Sequence, residues 1–389
     1  MDHLLLFLAG LFFLVYLGGL LLEKFRIPWI FAALLLGLGL AAYNPFTSIT
    51  SAPTFEFLAQ LGMYFLLFII GFEIDLKEIL GSNNLVLKTT AAVILAESFF
   101  GSILIHFVFG TPWPISILVA TSFSTVGEAV LLPILDEFKL TKTKLGQTIL
   151  GIGVLDDLVE VITVIVASFF ISSEVGHGDL NITGNLLTLL SLFVLAFVIF
   201  RFHKKIIPFK YKDISALFLL LIFIMFVFVG IGQFVDAEAL GALLAGIALK
   251  NAIPPKLLSF IDSEVRTMAY GLFAPIFFVW VGLETDIGYL VQFPLLILLV
   301  MAMSNSTKMI TSYFMTRKEI GPKNALILGM SITVKFSTSI VIIKLLLDKG
   351  LIHEQLYSVL IGTMILFKFI IPVLLSYLIK KWKISPEKA

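Results

Sequence analysis

Apolar stretches long enough to cross a bilayer follow one another along almost the whole chain, and no other feature limits its folding as much. A spanning helix needs about 20 predominantly apolar residues, since the hydrocarbon core is about 30 Å thick and a helix rises about 1.5 Å per residue. Punctuation by polar residues, proline and glycine predicts thirteen spans, at 4–22, 27–43, 55–72, 86–109, 114–135, 146–172, 185–201, 213–235, 238–250, 266–283, 291–316, 323–347 and 355–380. Composition agrees: of 389 residues, 59% are hydrophobic and 14% charged, far from the soluble range. The expected fold class is an all-α polytopic membrane protein with thirteen transmembrane helices. The run from Leu4 to Leu22 follows Asp2 and His3 instead of a basic segment, and is read as a retained helix.

Charge excludes some functions and orients the rest. A net charge of +1 without a basic run offers nucleic acid no electrostatic footprint. The absence of cysteine rules out a disulfide framework, a thiolate metal site and a cysteine nucleophile. Cytoplasmic loops retain Lys and Arg, and of the 27 such residues 22 fall on odd-numbered loops, their borders and the C-terminal tail. Even-numbered loops hold only Lys349, and the other four, Lys308, Lys335, Lys344 and Lys368, lie inside spans. The N-terminus is expected outside and the C-terminus in the cytoplasm, with the chain in a prokaryotic plasma membrane.

An internal repeat supports the span count. GFEIDL at 71–76 matches GLETDI at 282–287, ALLLGLGL at 33–40 resembles ALLAGIAL at 242–249, and FST recurs at 123 and 336. The offsets are 211, 209 and 213, in unchanged order. Spans 1 to 6 therefore correspond to spans 8 to 13. An odd number of helices separates equivalent positions, so the second copy enters the membrane inverted, an architecture found in secondary transporters. Span 7, ending in Arg201, Lys204 and Lys205, becomes the linker, and no soluble regulatory domain is expected after the last span.

Chemistry concentrates in span 6, LGQTILGIGVLDDLVEVITVIV at 145–166, which sets Asp156, Asp157 and Glu160 into its middle. A carboxylate at the bilayer centre costs about 2.5–3.5 kcal/mol on insertion scales, so three on one helix need water, a cation or a partner. An internal salt bridge is the plainer reading, but it does not require two adjacent acids. Glu160 shares a face with both aspartates. One aspartate can turn to a protein cation and the other to a water-filled path, where a proton and a metal cation compete for it. The expected protein cation is Lys308, mid-span in SNSTKMITSYF; the alternative is a lysine snorkelling to an interface. Under the repeat Glu97 is equivalent to Lys308 and Lys368 to Asp157, opposite charges able to neutralise one another, with a structural role expected for Glu97 and Lys368.

Polar residues also interrupt spans 5 and 12, TSFSTVGEAVLLP at 121–133 and SITVKFSTSIV at 331–341. Mid-span Ser, Thr and Gly are tolerated where a helix unwinds and hydroxyls or a cavity satisfy its backbone. Two such broken helices crossing at the midplane leave half-helix ends to be compensated, and Glu128 and Lys335 carry suitable charges. Ordinary interhelical hydroxyl bonding is the competing reading. His106 is read as a helix-end histidine, Glu73, Asp75, Glu284 and Asp286 as solvated at headgroup level, and Asn181 as a sequon common by chance.

These motifs resemble the monovalent cation/proton antiporters of the NapA and Kef-type branch. The likeness is carried by GQTILGIGVLDDLVEV, RIPWIFAALLLGLGL, FLLFIIGFEIDL, STVGEAVLLPIL, LGALLAGIAL, PIFFVWVGLETDI and Lys308, in order across the membrane region. The resemblance implies a homodimer in which a core bundle of spans 4 to 6 and 11 to 13 moves as an elevator against a dimerisation bundle. The corresponding pieces are 1–84 and 213–290 for dimerisation, 85–172 and 291–389 for the core, and 173–212 for the linker. It implies that Asp157 carries cation and proton, that Asp156 pairs with Lys308, and that Ser124, Thr125 and Val126 complete the site. It implies no enzyme activity and no cofactor: sodium, or lithium or potassium, and protons are transported, in electrogenic exchange. Two departures stand out. Relatives often carry Gly-Glu or Arg-Gly-Glu where this chain has Lys335, Phe336 and Ser337, and Glu128 is unusual, so a Glu128–Lys335 pair is expected to replace the missing acid. Glu160 is a further addition. Kef-type relatives also carry a nucleotide-sensing domain not found in this chain, which disfavours ligand-gated potassium efflux. An intramembrane aspartyl protease, the remote alternative, places its acids on separate helices with Gly-x-Gly-Asp, whereas here Gly151 and Gly153 precede Val154.

Overall fold

Hydrocarbon offers the backbone no hydrogen-bond partners, so apolar segments close their own bonds as helices. The computed structural model describes residues 3–25, 27–74, 83–126, 128–174, 182–206, 214–253, 255–335 and 337–384, and its regular structure is helical throughout. In chain order the main helices are α1 (Leu4–Glu23), α2 (Phe31–Ala42), α3 (Pro53–Glu73), α4 (Asn84–Phe109), α5 (Trp113–Phe123), α6 (Glu128–Glu137), α7 (Lys144–Glu174) and α8 (Ile182–Ile206). They continue with α9 (Ile214–Gly232), α10 (Glu238–Ala252), α11 (Pro255–Met268), α12 (Ala274–Leu283), α13 (Pro294–Ile320), α14 (Pro322–Ser331), α15 (Ser337–Asp348) and α16 (Glu354–Trp382). Among the described residues, seven helical segments are long and apolar enough to cross a membrane. Asp75 and Asn181 lie outside the described residues.

The chain divides into two compact units. The first comprises residues 1–13, 44–74 and 164–281. Here α10 lies against α3, α8 and α9, an approach that side chains on the facing glycines would block. A Cβ on Gly71 would stand 2.1 Å from the Leu243 carbonyl oxygen, and one on Gly246 2.1 Å from that of Phe68. The second unit comprises residues 14–43, 75–163 and 282–389. Within it α13 runs beside α4, α14 and α16, and α5 beside α4 and α15. A Cβ on Gly282 would meet the Leu34 carbonyl oxygen of α2 at 2.4 Å, and α2 belongs to this unit. Adding the repeat offsets to Leu34 and Gly71 leads to Leu243 and Gly282, so the backbone approach in one unit has its counterpart in the other.

Candidate functional site

Both interrupted spans are broken in the second unit. Helix α5 ends at Phe123 and α6 begins at Glu128, while α14 ends at Ser331 and α15 begins at Ser337. The hydroxyls that permit these breaks bond back along the chain: Ser122 donates to the Leu118 carbonyl (2.8 Å), Ser124 to Thr121 (2.8 Å), Ser331 to Ile327 (2.8 Å) and Thr333 to Gly329 (3.0 Å). Such local bonds offer the backbone an alternative to continuing the helix. The two breaks meet where the Thr125 and Ser339 hydroxyls are in contact.

Each break leaves carbonyls without helical partners, carrying the negative end of the helix dipole. Lys308 answers both. Fully buried on α13, its ammonium donates to the carbonyls of Ser124 (2.6 Å), Thr125 (3.3 Å) and Ile332 (2.7 Å). It is no snorkelling lysine. Lys335, also fully buried, donates to the Phe123 carbonyl. Glu97 of α4 is the shared counter-ion, 3.3 Å from Lys308 and 3.1 Å from Lys335, and it also accepts from Ser304, one turn before Lys308. Glu97 and Lys308, 211 positions apart, thus neutralise each other within the second unit. Lys368 is buried over the Phe31 ring, 3.9 Å from its centroid.

On α7, Asp156 is 1% exposed and accepts from the Val126 amide at 2.5 Å. The Asp156–Lys308 pair implied by the resemblance is not formed in this conformation: Lys308 is held by three carbonyls and Glu97, and Asp156 turns to the amide of the first break. Asp157 is only half-buried, while Glu160 is buried with the Thr338 and Thr125 hydroxyls in hydrogen-bonding reach. The predicted Asp156, Asp157, Glu160, Ser124, Thr125, Val126, Lys308 and Lys335 therefore lie in one unit around the two breaks. The Glu128 side chain lies outside the described residues; the described acidic partner of Lys335 is Glu97.

Several acids expected to be merely solvated are paired instead. Glu284 meets the buried Lys344 at 2.8 Å, and Lys344 also bonds Asp348. Asp286 caps a short helix through the Tyr289 amide (2.9 Å). In the first unit Glu73 pairs with Arg266, which also holds Asp262 at 2.9 Å. No local pattern announces such partners; the i, i+4 spacing of Lys344 with Asp348 and of Asp262 with Arg266 was the one available signal. His106 behaves as a helix-end residue, its Nδ1 2.7 Å from the Thr111 carbonyl and its ring stacked on Trp113.

The chain is similar to known proteins over most of its length. The family model described as the sodium/hydrogen exchanger transmembrane region matches residues 8–381. The Na(+)/H(+) antiporter of Enterococcus hirae is 28% identical over 387 residues, covering 94% of this chain and 95% of the relative. Probable Na(+)/H(+) antiporter 3 of Methanocaldococcus jannaschii is 27% identical over 367 residues, covering 92% of each. The solved structure of the sodium proton antiporter MjNhaP1 from Methanocaldococcus jannaschii at pH 8 aligns over 97% of this chain and 96% of its own with a TM-score of 0.63. At 18% identity that likeness establishes the fold.

Proposed function

We propose, from the premise that this chain belongs to the sodium/hydrogen exchanger family, that it exchanges sodium for protons across a membrane, with lithium as a second substrate. It is an integral membrane transporter and not an enzyme, and its ions are substrates, with no cofactor. The observation that carries the reading is the contrast within α7: Asp157 is the partly open acid, beside the buried Asp156 and Glu160, where two broken helices meet. An open carboxylate there accepts either a cation or a proton from whichever side the site faces. That competition is sufficient for exchange if access alternates.

The mechanism proposed is an elevator within a homodimer, in which 85–172 and 291–389 move against 1–84 and 213–290, joined by 173–212. Lys308 and Lys335 hold the half-helix ends together through the movement, Ser124, Thr125 and Val126 flank the cation, and Asp156 lies behind it. Thirteen spans in two inverted six-helix repeats are part of the same proposal, as are an external N-terminus, a cytoplasmic C-terminus and electrogenic exchange. The repeat is supported by the paired glycine contacts at Gly71 and Gly282, which the sequence offset relates. Proteoliposomes with an internal pH dye, given sodium, lithium or potassium chloride with and without a membrane potential, test it. Sodium should drive proton movement, and Asp157→Asn should abolish it with the protein still folded; full activity in that variant would refute the carrier role.

A further inference from the structure

We propose that Glu160 is a further ligand of the transported cation and sets the affinity of the site. The inference rests on the exchange reading above and deepens it. Glu160 stands three residues beyond Asp157 and four beyond Asp156, so its carboxylate neighbours each of the two aspartates on α7. It is 4% exposed, and its carboxyl faces hydroxyls from both breaks, Thr125 from the first and Thr338 from the second. Among the described residues, the charges that bear most on it are those of Asp156 and Asp157, and no ion pair joins it to a lysine or arginine. The two nearby lysines are already engaged, Lys308 by Glu97 and three carbonyls, Lys335 by Glu97 and the Phe123 carbonyl.

A buried acid without a cationic partner is costly, because desolvation of the charge goes unrepaid. An independent observation points the same way: Asp156 Oδ1 is buried and has no hydrogen-bond partner. Asp157, Glu160, Asp156 Oδ1 and the Thr125 and Thr338 hydroxyls supply an all-oxygen donor set of mixed charge. Hard cations select such sets by cavity size and ligand number. A structural acid would need only the hydroxyls, which a glutamine in its place could satisfy equally.

That difference supplies the test. Sodium binding to the purified protein is titrated calorimetrically at fixed pH, and sodium-driven exchange is measured in proteoliposomes, for wild type, Glu160→Gln and Glu160→Asp. The glutamine variant should melt as wild type does and raise the sodium Kd and KM at least ~10-fold, a shift of about 1.4 kcal/mol in binding. The aspartate variant, charged but retracted by one methylene, should fall between the two. Unchanged Kd and KM in Glu160→Gln overturn the proposal, as does lost stability with unaltered affinity. Should that variant fail to fold, wild-type Kd in Glu160→Asp overturns it and a weakened one supports it. Sodium binding without exchange in wild type would instead sink the exchange reading while leaving the ligand assignment to be decided by the titrations.

Discussion

Replacing Glu97 by Gln should destabilise the protein markedly, and replacing Lys335 as well should return part of the loss. Glu97 is 1% exposed and stands 3.3 Å and 3.1 Å from two fully buried ammonium groups. At an effective dielectric of about 20, each such pair attracts by roughly 5 kcal/mol before desolvation is subtracted. Breaking a buried pair by removing one partner costs about 3–5 kcal/mol. A glutamine oxygen still accepts one hydrogen bond, which places the expected loss near about 3 kcal/mol. Two ammonium groups would then face each other with only the more distant Asp156 carboxylate acting on both. Lys335→Met removes that repulsion while Lys308 keeps its three carbonyls, so the double variant should recover about 1–2 kcal/mol, within the usual range of coupling between contacting residues. Melting in detergent, followed by fluorescence of the four tryptophans, reads this out at about 2 °C per kcal/mol. An unchanged melting temperature in Glu97→Gln would refute the reasoning, and so would losses that simply add in the double variant.

The glycine contacts give a paired prediction: Gly71→Ala and Gly282→Ala should each cost about 1–3 kcal/mol or more by overpacking against backbone, whereas Gly10→Ala, inside α1 with nothing within 4 Å of its Cβ, should leave the melting temperature no lower and raise it slightly. Lys308→Met should be the most damaging lysine substitution, since it strips three carbonyls and Glu97 of one donor; melting no worse than that of Lys344→Met would count against its place at both breaks. Lys344→Met should cost about 1–3 kcal/mol, moderated because Glu284 and Asp348 keep 35% and 23% of their side-chain surface and water can replace the ammonium.

What the amino-acid order determined alone is whatever depends on neighbours along the chain. Apolar length set the all-helical class, and clustered hydroxyls marked the breaks after Phe123 and Ser331, because both follow from how a segment satisfies its own backbone in lipid. The three acids of α7 and Lys308 were legible because a charge in an apolar run has no local excuse. Beyond the Glu97–Lys308 match that the repeat offset offered, which charge answers which was decided by packing. Glu97, remote in sequence from both lysines, draws Lys308 and Lys335 together, and Asp156 turns to the Val126 amide instead of an ammonium. Coulomb attraction and hydrogen bonding act over a few ångströms, and such distances between residues 30 to 238 positions apart exist only once the helices have assembled.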